Sequence, residues 1–302
     1  MPASFVASLC GYRNGRPNTS DASDKQSVDL GTVFFEAMGI TPDKLAPSDA
    51  VGNLMASTMA MDLTQYFQIE SPHLMVQPER SIASFEQFSH LNATATLRKD
   101  SSSSVTRRVK ELRDFSASAI IAADVQSELD THLDGIHNEL ELLEDRRRNL
   151  LDLLGEESLL KLDITVSRST PGVTSGAVAS GAVAPRHLVA GLSLKWTLRT
   201  DRAQDCRSQG AKMASLRRGR MPHFATVTME PRPSMLALLG RGSGEIDCVY
   251  HLNLPALSQA IDEYCSGNQP RARLAIRDNF RRLCDQRRLR DYDELREYIA
   301  TL

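Results

Sequence analysis

Apolar residues recur at three- and four-residue steps through the first half of the chain and at two-residue steps through much of the second. Over residues 27–38, Val28, Leu30, Val33, Phe34, Phe35 and Ala37 fit one packed helix that Gly39 would end. Residues 48–67 repeat the pattern with Val51, Leu54, Met55, Met59, Leu63 and Phe67, and Ser48 or Asp49 is the expected N-cap. The methionines of that stripe read as core packing rather than as contacts to a cofactor. A third helix is expected over 81–97, followed by the polar break Ser101 to Ser104, and 105–154 is charged and long enough for two helices.

The period then changes. Leu162, Ile164 and Val166 alternate with polar residues over 161–168, the pattern of a half-buried strand. The stretch 169–185, STPGVTSGAVASGAVAP, is too small and polar to bury much surface and is expected to be a mobile loop. Further strands are predicted at 188–198, 223–229 and 245–252, with helices at 200–216, 255–264, 272–286 and 292–299. Alternation of this kind predicts an α/β sheet with helices on its faces. The strongly basic helix 272–286 reads as a solvated face, with a contact to a DNA backbone as the second reading.

Composition narrows the possibilities. With 302 residues and 41% hydrophobic content the chain can bury a sizeable core in one large domain or two small ones, which excludes a disordered or fibrous protein. No apolar run approaches the roughly 18 to 20 residues needed to cross a bilayer, and the first residues lack the charged-then-apolar order of a secretory signal, so the cytoplasm is the expected location. Five cysteines without a CxxC pair suit reduced thiols better than a disulfide framework or a zinc site. The net charge of −2 averages over unlike regions. Between Arg199 and Arg220 seven cations face two carboxylates, whereas 124–152 is rich in acids. A nearly neutral chain can therefore own a basic groove.

Candidate chemistry starts at Asp163, a carboxylate in mid-strand among apolar neighbours, where burial is costly unless a metal or a cation pairs it. Thirty residues on, alternation puts Ser193 and Lys195 of Ser193-Leu194-Lys195 on the same face of another strand. An acid for a hard cation, the backbone carbonyl of Leu194 and a lysine near a phosphate are what metal-assisted phosphodiester hydrolysis requires. Taken alone, the spacing describes a buried salt bridge equally well, and that is the commoner case. KWTLRTDRAQ then runs from the strand into a helix with Thr200 as the expected N-cap, and Arg199, Asp201 and Arg202 sit at its start. Two guanidiniums there fit the paired acceptors of guanine in a major groove, and a carboxylate fits the amino group of cytosine. Other residues take plainer readings: His223 and His251 as structural, the GRGSG of 240–244 as a tight turn, Glu245 and Asp247 on the following strand as solvent-facing or ion-paired, and Trp196 as core.

At these residues the chain resembles the NgoMIV-like type II restriction endonucleases, which cut sites with a CCGG core. The resemblance runs over 192–251 through SLKWTLRTDRAQDCRSQG, GRMPHFATVTMEP and GSGEIDCVYH, and more weakly over 162–168, 52–67 and 82–91. It implies a PD-(D/E)xK fold, a mixed central sheet flanked by helices, in which the second acid moves from the strand to the adjacent helix. A single domain over 1–302 is expected, with a mainly helical part, 1–155, and a catalytic and recognition core, 156–302. Asp163 matches the first metal-binding acid, although Leu162 replaces the usual proline, and Ser193 and Lys195 match the SxK pair. Gln209 stands where the displaced acid is expected, and Ala56 where a further acid is expected; Asp62 and Glu245 are the other acids open to that role. The resemblance implies Mg2+ held by Asp163, the Leu194 carbonyl and Gln209. It also implies double-stranded DNA read by Arg199, Asp201 and Arg202, cleavage to 5′-phosphate and 3′-hydroxyl, and a homodimer that pairs into a tetramer on two sites. The alternative is a CCGG-binding protein of the same fold with cleavage impaired at Gln209 and Ala56. A structural α/β protein whose arginine-rich helix pairs with the acidic helices is the third class.

Overall fold

The computed structural model describes residues 3–48, 50–92, 103–118, 122–154, 160–169, 185–242, 244–266 and 271–302. The chain forms two compact units, one of Met1–Phe88 with Lys161–Leu302, the other of Ser89–Leu160. The first holds a short helix α1 (Val6–Leu9), a two-stranded ribbon of β1 (Tyr12–Arg13) and β2 (Arg16–Pro17), and helices α2 (Lys25–Ala37) and α3 (Val51–Glu70). Asp24 caps α2 by accepting from the amides of Gln26 and Ser27. Gly39, at φ +71°, takes the left-handed conformation just past its end. Helix α3 buries Met55, Met59, Leu63 and Phe67, one residue per turn, so the methionine stripe is core. Its cap position is Ala50, without a side-chain cap, rather than Ser48; Asp49 lies outside the described residues.

The centre of this unit is a six-stranded sheet in the order β3 (Leu74–Ser81), β4 (Lys161–Arg168), β5 (His187–Lys195), β6 (His223–Thr228), β7 (Cys248–His251), β8 (Leu289–Asp291). The pairs β3–β4 and β4–β5 are antiparallel; β5–β6, β6–β7 and β7–β8 are parallel. Parallel neighbours need crossovers, and helices α6 (Thr200–Leu216), α7 (Pro233–Gly240), α8 (Leu254–Tyr264) and α9 (Arg271–Asp285) lie along these connections, with α10 (Tyr292–Ala300) closing the chain. All six residues of β6 are buried, as in a strand covered on both faces. Helix α6 lies so close to the sheet that a Cβ on Gly210 would come within 2.0 Å of the Glu245 carbonyl oxygen and 2.9 Å of Phe224. Glycine is required there.

The mixed sheet flanked by helices is the expected architecture, with local differences. Where a helix is predicted over 81–97, the edge strand β3 ends at Ser81 and 3-10 turns follow at Ile82–Ser84 and Glu86–Leu91; 93–97 lie outside the described residues. Only Leu74 of β3 is buried, and Pro78 interrupts it, so no alternation marks this strand in the sequence. The strand expected over 245–252 shortens to Cys248–His251, which leaves Glu245 and Asp247 in the approach to it. Helix α7 and strand β8 were not foreseen; both are too short to declare a period. Most of the loop 169–185, and Ser243 of the 240–244 turn, lie outside the described residues.

The second unit pairs helix α4 (Ser103–Ser118) with the 32-residue α5 (Ala123–Leu154), the two helices expected over 105–154. Val109 and Leu133 are buried, Gln126 donates to Ser116 Oγ at 3.3 Å, and Arg113 pairs with Asp134. Among the described residues no helix is long and apolar enough to cross a membrane.

His251 ties β7 to the core and makes folding sensitive to acid. Its ring is fully buried, touches Phe34 edge-on at 5.5 Å, and accepts from the Asn253 amide at 3.1 Å through Nδ1. Burial lowers its pKa from 6.5 to about 4. A depressed folded-state value stabilises above the unfolded pKa and is lost as the pH falls through the folded one. We expect this residue to remove about 3 kcal/mol of stability between pH 7 and pH 4. Urea unfolding of the parent and of His251→Gln across that range checks it: the variant's profile should be shallower by that amount, and identical slopes would refute the assignment.

Candidate functional site

The site assembles where β4, β5 and α6 meet. Ile164 pairs with Leu192, so Asp163 comes beside the last residues of β5, and its Oδ2 accepts from the Leu194 amide at 2.6 Å. Burial raises the Asp163 carboxyl above the usual carboxylate range; the Leu194 amide and the Lys195 charge pull it down, and the charges of Asp205 and Glu79 add to the rise. Ser193 and Lys195 both face α6. The buried Ser193 Oγ lies 3.5 Å from Cys206 Sγ, and Lys195 Nζ lies 3.0 Å from Asp205 Oδ2. Burial works against the lysine's charge, but the hydrogen bond and charge of Asp205, together with Asp163, outweigh it and hold the ammonium above its ordinary pKa. Lys195 is therefore a fixed cation between two carboxylates.

The other acids considered for the site are engaged elsewhere. Asp62 accepts from the Tyr292 hydroxyl at 2.8 Å and pairs with Arg296 at 3.3 Å; Glu245 pairs with Arg207 at 3.2 Å. Ala56 is a half-buried residue of α3. Gln209 sits on α6 one turn beyond Asp205, with its Oε1 buried and without a hydrogen-bond partner among the described residues. Sequence reasoning passed over Asp205 and Glu79. Glu79 lies in β3 between Pro78, which pairs with Ile164, and Arg80, which pairs with Leu162, so it stands opposite Asp163. Its φ of +46° is a conformation that a glutamate adopts only under constraint.

Arg199, Asp201 and Arg202 come together at the exposed start of α6. Thr200 is the first helical residue rather than the cap; Arg199 holds the cap position in an extended conformation without a side-chain cap. Its guanidinium pairs with Asp21 at 3.1 Å, and that carboxyl is held at about 2 by the hydroxyl and amide of Ser23 and by Arg199 itself. Arg202 donates to Thr197 Oγ1 at 2.9 Å. Asp201 lies in the first turn, where the helix dipole favours a carboxylate. All three side chains are on the surface.

Between the lysine and these residues the backbone is clamped by a buried pair that sequence reasoning did not find. Glu230 Oε2 accepts from the Leu198 amide at 2.7 Å, and Arg232 donates to the Leu198 carbonyl at 2.8 Å. Arg232 Nε also bonds Glu230 Oε1 at 2.6 Å, and its third arm reaches Asp24, the cap of α2, at 2.8 Å. Two opposite charges within the apolar run TVTMEPRPSMLALL were the available signal.

Hard oxygen donors beside a fixed ammonium can hold a small divalent cation and a phosphate together. Among the described residues no group of three or more His, Cys, Asp or Glu converges tightly enough to cage a metal. The Asp163 carboxylate and the backbone carbonyls at the end of β5 are hard oxygen donors, and Mg2+ keeps several of its positions for water and phosphate oxygens, so these residues suit that ion.

Residues 152–300 match the family model described as NgoMIV restriction enzyme. The type II restriction enzyme NgoMIV of Neisseria gonorrhoeae is 50% identical over 74 residues, 24% of this chain and 26% of that protein. The matched stretch thus spans about a quarter of the relative's length. Asp163, the Ser193–Lys195 strand end, the start of α6 and the Glu230–Arg232 pair all fall within the family-matched region.

Removing one partner of the buried pair leaves an uncompensated charge. Arg232→Ala should lower the free energy of unfolding by about 3 to 5 kcal/mol, measured by urea denaturation at pH 7. Glu230→Gln, which keeps an acceptor for Leu198, should cost less. A loss under about 1 kcal/mol for Arg232→Ala, the scale of an exposed pair, would show that the clamp carries no weight.

Proposed function

Through residues 152–300 this chain belongs to the NgoMIV restriction enzyme family, and on that premise we propose that it is a Mg2+-dependent type II restriction endonuclease. Its proposed substrate is double-stranded DNA at a palindromic site with a CCGG core. The observation that carries the reading is the three-residue link, Trp196 to Leu198, between the Asp163–Lys195 cluster and the exposed Arg199, Asp201 and Arg202. Groups suited to a phosphate and groups suited to base edges are held on one rigid connection.

Bound Mg2+ would be held by Asp163 and the Leu194 carbonyl, and supplies charge neutralisation at the scissile phosphate and a more acidic water. Lys195, paired with Asp205, is placed as an ammonium to stabilise the charge growing on the phosphate oxygens. Ser193 packs against Cys206 and fixes the face that β5 turns to α6. Arg199 and Arg202 bridge guanine acceptors, and Asp201 accepts from a cytosine amino group. A palindrome requires a two-fold symmetric reader, so the working form is a homodimer, with pairs of dimers on two sites as the larger assembly. DNA in the cytoplasm is the proposed setting. The second reading, a CCGG binder with impaired cleavage, draws on the neutral Gln209 and its unbonded amide oxygen.

Incubation of plasmids carrying CCGG in several contexts with Mg2+ should give discrete fragments ending in 5′-phosphate. Retained CCGG binding without cutting would favour the second reading; neither binding nor cutting would overturn both. Arg199→Ala and Arg202→Ala should each lose about 1 to 3 kcal/mol of discrimination at a G·C pair while non-specific binding persists, as read by competition binding in Ca2+. Unchanged selectivity in either variant would remove that arginine from the reader.

A further inference from the structure

Helix α6 runs back along β5 in a register that its contacts define. Asp205 meets Lys195 and Cys206 meets Ser193. Met213 lies level with Gly191, whose added Cβ would stand 3.5 Å from Met213 Cε. Gly210 is pressed against Phe224 and the Glu245 carbonyl. Position 209 therefore lies below Ser193, on the side of the helix that packs into the protein, and Asp205 lies at the open end of the strand.

We propose that Asp205, one helical turn before Gln209, supplies the helix-borne carboxylate of the cation site, so that the acid expected at position 209 has moved along the same helix rather than been lost. The proposal rests on the nuclease reading above. Residues 205 and 209 are four apart and share a helix face, so a carboxylate at either position projects toward the same strand. Asp205 is 54% exposed, open to a hydrated ion and a DNA phosphate, whereas the Gln209 amide oxygen is buried and idle. Asp205 is paired with Lys195 at 3.0 Å, and its charge raises the Asp163 carboxyl, a repulsion that a divalent cation would relieve. A full negative charge also binds Mg2+ far better than an amide dipole does. The neutral residue at 209 then leaves the donor set complete.

Mn2+ titration of the full chain, followed by electron paramagnetic resonance with a CCGG duplex present, tests this without reference to cleavage. Asp163→Asn and Asp205→Asn should each weaken Mn2+ binding about tenfold or more, while Gln209→Ala stays within about twofold of the parent. Lys195→Met should keep its Mn2+, which separates a ligand role from loss of the Lys195–Asp205 pair. Asp205→Glu should recover part of the lost affinity. Thermal melting without metal verifies that each variant folds. Parent-like Mn2+ affinity in Asp205→Asn beside a loss in Asp163→Asn would overturn the Asp205 assignment and leave the nuclease reading standing. Parent-like affinity in both, with no cutting of CCGG plasmids, would overturn that reading as well.

Discussion

The whole site depends on the satisfaction of one stretch of irregular backbone. Between the end of β5 and the start of α6 the chain has four residues, Trp196 to Arg199, in neither sheet nor helix, and the buried amide and carbonyl groups of the first three need partners. The buried Glu230 and Arg232 take both polar groups of Leu198, the Met229 amide donates to the Trp196 carbonyl, and the Trp196 indole donates to Asn18. An isolated buried charge would be prohibitive, but this pair satisfies each other's hydrogen bonds as well as those of the link. Through Asp24 the same arginine also reaches the cap of α2. The position of the arginines at the start of α6 relative to Lys195 is thus set by covalent geometry and a buried ion pair, not by a loop free to move.

Charges on the two sides of this link are treated differently. Lys195 is 20% exposed and lies between carboxylates, so its charge is strongly held and little screened. Arg199 is 57% exposed, and a surface pair of that kind contributes about 0 to 1 kcal/mol. Exchange of Asp21 for another partner, such as the guanine edge proposed above, would therefore cost little, and Arg202 would give up only a local bond to Thr197. Groups proposed to handle a phosphate are preorganised, and groups proposed to read bases keep the freedom to rearrange.

Legibility in the sequence followed the strength of each periodic signal. Strand β4 and helix α6 have the bounds expected from 161–168 and 200–216. The helix buries one face, but β4 buries Thr165 and Ser167 as well as its apolar residues, so it is covered on both faces rather than half-buried. Strand β3 was missed because an edge strand with Pro78 and exposed Glu79 and Arg80 has no buried face to alternate. The same limit hid part of the site: Glu79 belongs to it only through pairing with a strand more than eighty residues away. Asp163, Ser193, Lys195 and the start of α6 were legible because spacing along one strand and one strand-to-helix junction is local information. Asp205 was not, since nothing in the residue order says which turn of α6 lies level with Lys195. That register is fixed by Gly210 against Glu245 and Cys206 against Ser193, contacts made only in three dimensions.

The direction of pairing explains why the site forms at β5 and nowhere else in the sheet. This strand is antiparallel to β4 and parallel to β6, so it is the seam between the two halves. Antiparallel pairing lets β4 lay Asp163 beside the end of β5 without an intervening helix, while parallel pairing obliges the chain to leave β5 through a crossover helix. Helix α6 therefore starts a few residues beyond Lys195, and the free amides and positive dipole of its first turn lie at the same end of the strand as Asp163 and Lys195. At strands paired in parallel on both sides, a helix start is present without a carboxylate from an antiparallel neighbour. At β4, with antiparallel neighbours on both sides, the carboxylate is present without a helix start. Only the seam brings the two together, and the short link clamped by Glu230 and Arg232 keeps them in register.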